Sequence, residues 1–287
     1  MERWRSVLRP GLLGVIGHPV AHSVSPQMVN TALKRAGVDN ILYVPVEVKP
    51  RDLEAFCRSA PLMNFIGFNV TIPHKVSVIK HLSRLDSSAK QVGAVNVVKV
   101  VGDKLVGFNT DVLGVMTAIP SEADGSVLVL GVGGAARAAA VALKRKGFED
   151  VVFAGRRLKT VKEFRKFAES RGIRCRFVKM GSAAMAEELR RCSILINATP
   201  VGMYPKVNET PVETSLLHRR MTVFDMVYNP PQTRLLKAAR AKGARTVDGV
   251  KMLAAQGAEA LKIWLGLEAD REVMERAALR ALKGFRG

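Results

Sequence analysis

Apolar positions along the chain alternate between short strand-like runs and longer stretches with helical spacing. In the first region, residues 12–17 (LLGVIG) read as a buried strand. Residues 25–37 read as a helix, with Pro26 in its first turn and Gly37 at its stop. Residues 41–48 alternate with period two, residues 52–59 look helical, and residues 65–70 (FIGFNV) form another strand. Residues 94–100 and 104–109 flank Gly102-Asp103 as a hairpin, and a helical run over 111–119 leads into the polar Pro/Gly segment 120–125, a predicted domain boundary. Beyond it, residues 150–155, 174–180, 193–199 and 221–228 are strand candidates separated by helical patterns, and helices are expected over 248–264 and 269–282. The fold class is α/β with two domains. An N-terminal α/β domain precedes a Rossmann-type, doubly wound parallel sheet.

The second region opens on SVLVLGVGGAARAAAVAL (126–143), a strand, a glycine turn and an alanine-rich helix in direct succession. A pyrophosphate-binding turn needs those parts in that order. Gly131 permits the tight turn, and Gly133 lets the backbone approach phosphate oxygens. Ala136 holds the position where only a small side chain lets the helix pack on the strand. The first N–H groups of such a helix have no internal partner and favour an anion. A tight turn before an ordinary buried helix would share part of this pattern, but the strand and helix both stand where dinucleotide binding requires them.

In dinucleotide folds the end of the second strand meets the adenosine ribose, and an acid there grips a free 2′-hydroxyl. Here that strand ends in Gly155, Arg156 and Arg157, with Lys159 close behind. A carboxylate would repel a 2′-phosphate, whereas guanidiniums bind one through charge-assisted forks, so NADP is expected rather than NAD.

Composition narrows the setting. The chain has 287 residues, 48% hydrophobic and 24% charged, which suits two globular domains with a sizeable core. No run reaches membrane-span length, and the opening stretch MERWRSVLRPG has no continuous apolar signal core. Cys57, Cys175 and Cys192 are sparse and lack metal-ligand spacing, which points to a reducing cytoplasm without disulfides or metal. Net charge is +20, yet the basic residues are scattered on helical patterns and aromatic content is only 6%, with no stacking platform. A solvated basic surface that steers anionic small molecules fits better than nucleic-acid binding.

Polar residues suited to chemistry cluster in the first region. NVTIPHK (69–75) sets Asn69 and Thr71 at a strand end with Lys75 beyond Pro73. GAVN (93–96) adds Asn96, and GFNTD (107–111) carries Asn109, Thr110 and Asp111 into a helix start. HSVSP (22–26) offers the hydroxyls of Ser23 and Ser25 at a helix N-terminus suited to a carboxylate. Taken singly, each is also explained by cap or turn chemistry, with Ser25 and Asp111 as N-caps and Asn96 as a turn residue.

Taken together, these strings, with GVGGAARA, INATPVGM, DMVYNPPQT and DGVKMLAAQG further along in the same order, resemble the shikimate dehydrogenase family over essentially the whole length. The resemblance implies NADP-dependent, reversible reduction of 3-dehydroshikimate to shikimate, a step of aromatic amino-acid biosynthesis. A quinate/shikimate dehydrogenase with relaxed substrate and cofactor choice shares these motifs. Carried over by position, Ser23 and Ser25 would hold the substrate carboxylate with Tyr228 nearby, and Asn69, Thr71, Asn96 and Gln256 would bind ring hydroxyls. Lys75 and Asp111 would be the catalytic pair. A proton donor must reach the ketone oxygen as hydride transfer charges it; Lys75 can donate, and Asp111 can orient the ammonium and the substrate hydroxyl. Gly131, Val132, Gly133, Gly134 and Ala135 would cradle the pyrophosphate. The segment Gly155, Arg156, Arg157, Lys159 and Thr160 would take the 2′-phosphate, and Met226 and Gly249 would lie at the nicotinamide end. Thr160 stands where the family usually has an arginine, and Arg157 is an additional one. The resemblance makes the substrate domain discontinuous, 1–119 with 249–287, around an NADP domain of 120–248. The expected partner is the small-molecule substrate alone, with no nucleic acid and no membrane, in a monomer or homodimer.

Overall fold

The computed structural model describes residues 10–21, 23–120 and 122–284. The reading of the first nine residues as lacking a signal core lies outside the described residues. The chain divides into two compact units, one running to Thr110 and resuming at Ala254, the other spanning Asp111–Leu253. The expected boundary at 119/120 is therefore displaced to the N-terminal side of a helix, which packs along the helix after the glycine turn. The second boundary falls inside the helix expected to begin at 248.

The first unit runs β1 (Gly11–Gly17), α1 (Ser25–Arg35), β2 (Ile41–Glu47), α2 (Leu53–Ser59), β3 (Phe65–Val70), β4 (Arg84–Leu85), α3 (Ser87–Val92), β5 (Val97–Val101) and β6 (Lys104–Phe108). Its sheet has the order β2-β1-β3-β5-β6-β4, with β1 parallel to β2 and β3, and β5 antiparallel to both neighbours. The Phe56, Phe65 and Phe68 rings meet edge-on beneath it, two of the centroid pairs at 5.1 and 5.6 Å. The strand expected from residue 94 starts only at Val97. Ahead of it, Asn96 still bonds both flanking strands through its backbone, accepting from the Val70 N–H at 2.9 Å and donating to the Phe108 carbonyl at 3.1 Å.

The second unit runs α4 (Asp111–Ala118), β7 (Val127–Leu130), α5 (Gly134–Arg145), β8 (Val151–Gly155), α6 (Leu158–Glu169), β9 (Arg176–Lys179), α7 (Ala183–Arg191), β10 (Ile194–Asn197), β11 (Thr222–Asp225), α8 (Arg234–Ala241) and β12 (Arg245–Val247). All its strands are parallel in the order β12-β11-β10-β7-β8-β9. Counted from β7, that is the doubly wound 3-2-1-4-5-6 order, whose direction reverses between β7 and β10. The inner strands VLVL and ILIN are wholly buried, as a sheet covered on both faces demands. Helices α9 (Gly249–Leu265) and α10 (Arg271–Gly284) complete the chain, and α10 packs on α1 in the first unit.

Candidate active site

In the first unit, four segments that are distant in sequence are stitched together by side-chain amides. Asn69, at the end of β3, donates from Nδ2 to the Asn96 carbonyl at 3.0 Å. It accepts the Tyr43 hydroxyl on Oδ1 at 2.7 Å. Asn96 Oδ1 accepts the Thr110 backbone N–H at 2.8 Å, while its Nδ2 donates to Thr110 Oγ1 at 3.0 Å and to Gln256 Oε1 at 3.3 Å. Asn69, Asn96, Thr110 and Gln256 are all buried, and such an amide cluster is ordered only because its members satisfy one another. The turn reading of Asn96 is therefore too small: this one side chain holds residues 110 and 256 together.

Lys75 enters the same region through its backbone. Its carbonyl accepts the Val95 N–H at 2.7 Å, which fixes the lysine loop against the segment before β5 that carries Asn96. The half-buried Thr71 opens that loop, with its N–H donated to Ile16 and its carbonyl accepting from His74 at 2.9 Å. Asp111 directly follows Thr110 as the first residue of α4 and is only 3% exposed. An acid in the first turn suits the helix dipole, but an exposed one would suit it equally, so burial asks for a further reason.

Ser25 is the first residue of α1 rather than its N-cap. The cap position is Val24, and no side chain caps this end. Ser23 Oγ instead accepts the Ser25 N–H at 3.3 Å, and the Ser25 hydroxyl is buried. An uncapped helix start with two hydroxyls and no acid in its first turn suits an anion.

The second unit carries the features of a dinucleotide site at the C-terminal ends of its strands. Gly131 has φ +108°, a backbone that side chains rarely adopt, and a Cβ there would lie 3.1 Å from the Ala198 carbonyl oxygen across the switch point. Gly133 is the N-cap of α5 and would meet nothing within 4 Å, so its missing side chain leaves open space in front of uncapped helix N–H groups. Val132 packs beside Gly155, where a Cβ would approach Val132 at 3.3 Å and Val161 at 2.4 Å. Gly155 is thus glycine for packing, and the charge comes after it. Arg156, Arg157 and Lys159 are exposed at the uncapped start of α6, which has no acid in its first turn. The Thr160 hydroxyl is engaged locally, donating to the Arg157 carbonyl at 2.8 Å. These residues fit a dinucleotide with a 2′-phosphate: open backbone at the turn, then an undiluted positive end one strand over.

Residues 226–228, expected as strand, leave β11 as a loop. Met226 donates its N–H to the Asn197 carbonyl, and Gly249 lies against it, where a Cβ would sit 2.5 Å from the Met226 carbonyl oxygen. Tyr228 is half-buried in this loop of the second unit, whereas Ser23 and Ser25 belong to the first.

The first-unit constellation meets a known pattern. A family described as the shikimate dehydrogenase substrate binding domain matches residues 15–98, and one described as the shikimate 5′-dehydrogenase C-terminal domain matches residues 249–279. The chain is 41% identical over 279 residues to the shikimate dehydrogenase (NADP(+)) of Methanopyrus kandleri, covering 95% of this chain and 96% of that one. The chain belongs to the shikimate dehydrogenase family. A crystal structure of a shikimate dehydrogenase in complex with NADP+ superposes with a TM-score of 0.85 at 38% identity, covering 95% of this chain and 96% of the other. The Thermus thermophilus enzyme in complex with NADP(H) and shikimate gives 0.82 at 37% identity, covering 94% and 99%. A quinate dehydrogenase from Corynebacterium glutamicum in complex with NAD gives 0.84 at 29% identity, covering 95% and 100%.

Within this shikimate dehydrogenase fold, sequence reasoning missed three supports. Tyr43 reads as one more inward residue of an alternating strand. His74, inside the NVTIPHK string, is fully buried, with Nε2 2.7 Å from the Val48 carbonyl, so the ring ties the lysine loop to the end of β2. Because a carbonyl oxygen only accepts, Nε2–H is the donor in that bond. Asp225 is fully buried at the end of β11. It accepts from Asn197 Nδ2 at 2.9 Å, the Val227 N–H at 3.0 Å and the Thr233 hydroxyl at 2.7 Å. Burial nevertheless pushes its carboxyl up to about 6, against the donors that favour the ionised form.

Proposed function

We infer that this chain catalyses the NADP-dependent, reversible reduction of 3-dehydroshikimate to shikimate, the oxidoreductase step of the shikimate pathway to aromatic amino acids. The observation that carries the reading is the buried amide and hydroxyl cluster of Asn69, Asn96, Thr110 and Gln256 beside the lysine loop, in a chain similar over nearly its full length to shikimate dehydrogenases. When bound, NADPH supplies the hydride that reduces the ketone carbon. The chain's own groups do the rest. Ser23 and Ser25, at the start of α1, bind the substrate carboxylate. Asn69, Thr71, Asn96 and Gln256 pair with ring hydroxyls, which both donate and accept. The Lys75 ammonium donates the proton that the reduced oxygen takes up, and Asp111 orients it. Gly131, Val132, Gly133, Gly134 and Ala135 hold the pyrophosphate. Arg156 and Arg157, with Lys159, neutralise the 2′-phosphate, and Met226 and Gly249 border the nicotinamide. Gly155 and Thr160 shape that corner, one by packing and the other by its local bond to Arg157.

A second reading, joint action on quinate with either cofactor, draws on the similarity to a quinate dehydrogenase in complex with NAD. The two arginines after β8 speak for NADP. Among the described residues no helix is long and apolar enough to cross a membrane. The reading places the protein in the cytoplasm as a monomer or homodimer that meets small molecules alone. The deciding measurement is NADPH oxidation with 3-dehydroshikimate, alongside shikimate and quinate oxidation with NADP+ and with NAD+. Turnover of quinate with NAD+ at the rate of shikimate with NADP+ would favour the second reading, and no turnover of 3-dehydroshikimate would remove the first.

A further inference from the structure

We propose that Tyr43 is a positioning residue for substrate recognition, its buried hydroxyl setting the Asn69 amide in the one orientation that can read a ring hydroxyl. The inference rests on the reading of Asn69 as a substrate contact. Tyr43 is 1% exposed, the kind of site where phenylalanine would pack as well and spare the desolvation of a hydroxyl. The hydroxyl is therefore retained for its bond, and that bond goes to Asn69 Oδ1 at 2.7 Å.

An asparagine amide offers two lone pairs on oxygen and two N–H groups. In Asn69 one of each is used, at opposite ends of the amide: Oδ1 by the Tyr43 hydroxyl and Nδ2 by the Asn96 carbonyl. Two anchors fix both the plane and the flip of the amide. Turning it over would set Oδ1 against a carbonyl oxygen, which cannot donate. The remaining N–H and lone pair lie in that fixed plane, matched to a hydroxyl that both donates and accepts.

The tyrosine itself has little room to move. Its backbone N–H donates to Asn30 Oδ1 and its carbonyl accepts from Asn30 Nδ2, each at 2.9 Å, so α1 grips β2 at this residue. Its ring packs on Trp264 with centroids 6.3 Å apart, and Trp264 Nε1 is held by the Val98 carbonyl at 2.8 Å. The same α1 begins with Ser25, so the carboxylate end and the hydroxyl-reading amide are referenced to one helix. A ligand that spans both is measured against a rigid frame.

The test is a double-mutant cycle read by steady-state kinetics with shikimate and NADP+ on the full chain. Tyr43→Phe should lower kcat/KM for shikimate about tenfold, the usual scale for stranding a buried acceptor, while KM for NADP+ stays within about twofold. Asn69→Ala should lower kcat/KM at least as much, and adding Tyr43→Phe to it should cost nothing more. If Tyr43→Phe costs the same factor in both backgrounds, or nothing in the wild type, Tyr43 is a packing residue and the inference is overturned. If Asn69→Ala alone leaves kcat/KM for shikimate unchanged, the substrate reading of Asn69 falls, and the inference with it.

Discussion

Asp225→Asn should change how the stability of the second unit depends on pH. Burial raises the Asp225 carboxyl from its ordinary 3.8 to about 6, a displacement that corresponds to about 3 kcal/mol. Because the folded value lies above the unfolded one, this contribution is fully present below pH 3.8 and is lost as pH rises through about 6. Linkage puts about 2 kcal/mol of that loss between pH 4.5 and 7. The asparagine keeps the acceptor for Asn197 and Val227, and its NH2 can donate to Thr233 Oγ1, whose oxygen also caps α8 through the Leu236 N–H. The variant should therefore fold, and it has no proton to lose. A two-domain chain need not open in one step, so the assay is native-state hydrogen exchange of the β10 and β11 amides, corrected for intrinsic rates. The opening free energy of the variant should gain about 2 kcal/mol on the wild type from pH 4.5 to pH 7. Parallel profiles would refute the raised carboxyl. A gain of opposite sign would mean that the hydrogen-bond donors outweigh burial.

Lys75→Ala and Asp111→Asn should each lower turnover by at least about a hundredfold with smaller changes in substrate KM; near-wild-type turnover removes that residue from proton transfer. Arg156→Asp should shift the NADP-to-NAD ratio of kcat/KM by at least about tenfold toward NAD, since a fork to phosphate is replaced by a repelling charge. An unmoved ratio means the 2′-phosphate is held elsewhere. Gly249→Ala should destabilise the second unit by about 1–3 kcal/mol, because its Cβ would meet the Met226 backbone at 2.5 Å and backbone cannot step aside. Thermal unfolding checks this, and an unchanged midpoint refutes it.

How much of this was legible in the chain follows from how each feature is encoded. The β7–Gly131–α5 turn could be read directly, because a strand run, a positive-φ glycine and a helix period are all local and adjacent. The short strands β4 and β12, of two and three residues, are below the length at which period two carries a signal. The α4 boundary went astray because Pro and Gly mark where a chain turns, whereas unit membership depends on what a helix packs against.

The site divides along the same line. Local strings exposed Asn69, Lys75, Asn96 and Asp111 as chemistry-bearing groups at strand ends and helix starts. What makes them a site is the set of bonds from Tyr43 to Asn69, from Asn69 to Asn96, and from Asn96 to both Thr110 and Gln256, the last spanning 160 positions of sequence. No periodicity encodes such a link, since each partner alone looks like an ordinary strand, turn or helix residue. The same holds in the second unit, where Asn197 and Asp225 sit side by side on β10 and β11 and look like strand ends until their side chains are seen to bond. Buried polar residues at strand ends are thus where the chain's function departs from its folding pattern. A purely structural chain could fill those positions with apolar side chains at lower desolvation cost. Retaining them makes sense when a ligand or a loop depends on their direction, and the Tyr43–Asn69 pair is the clearest instance, since the strand would fold around phenylalanine and only the amide's orientation needs the hydroxyl.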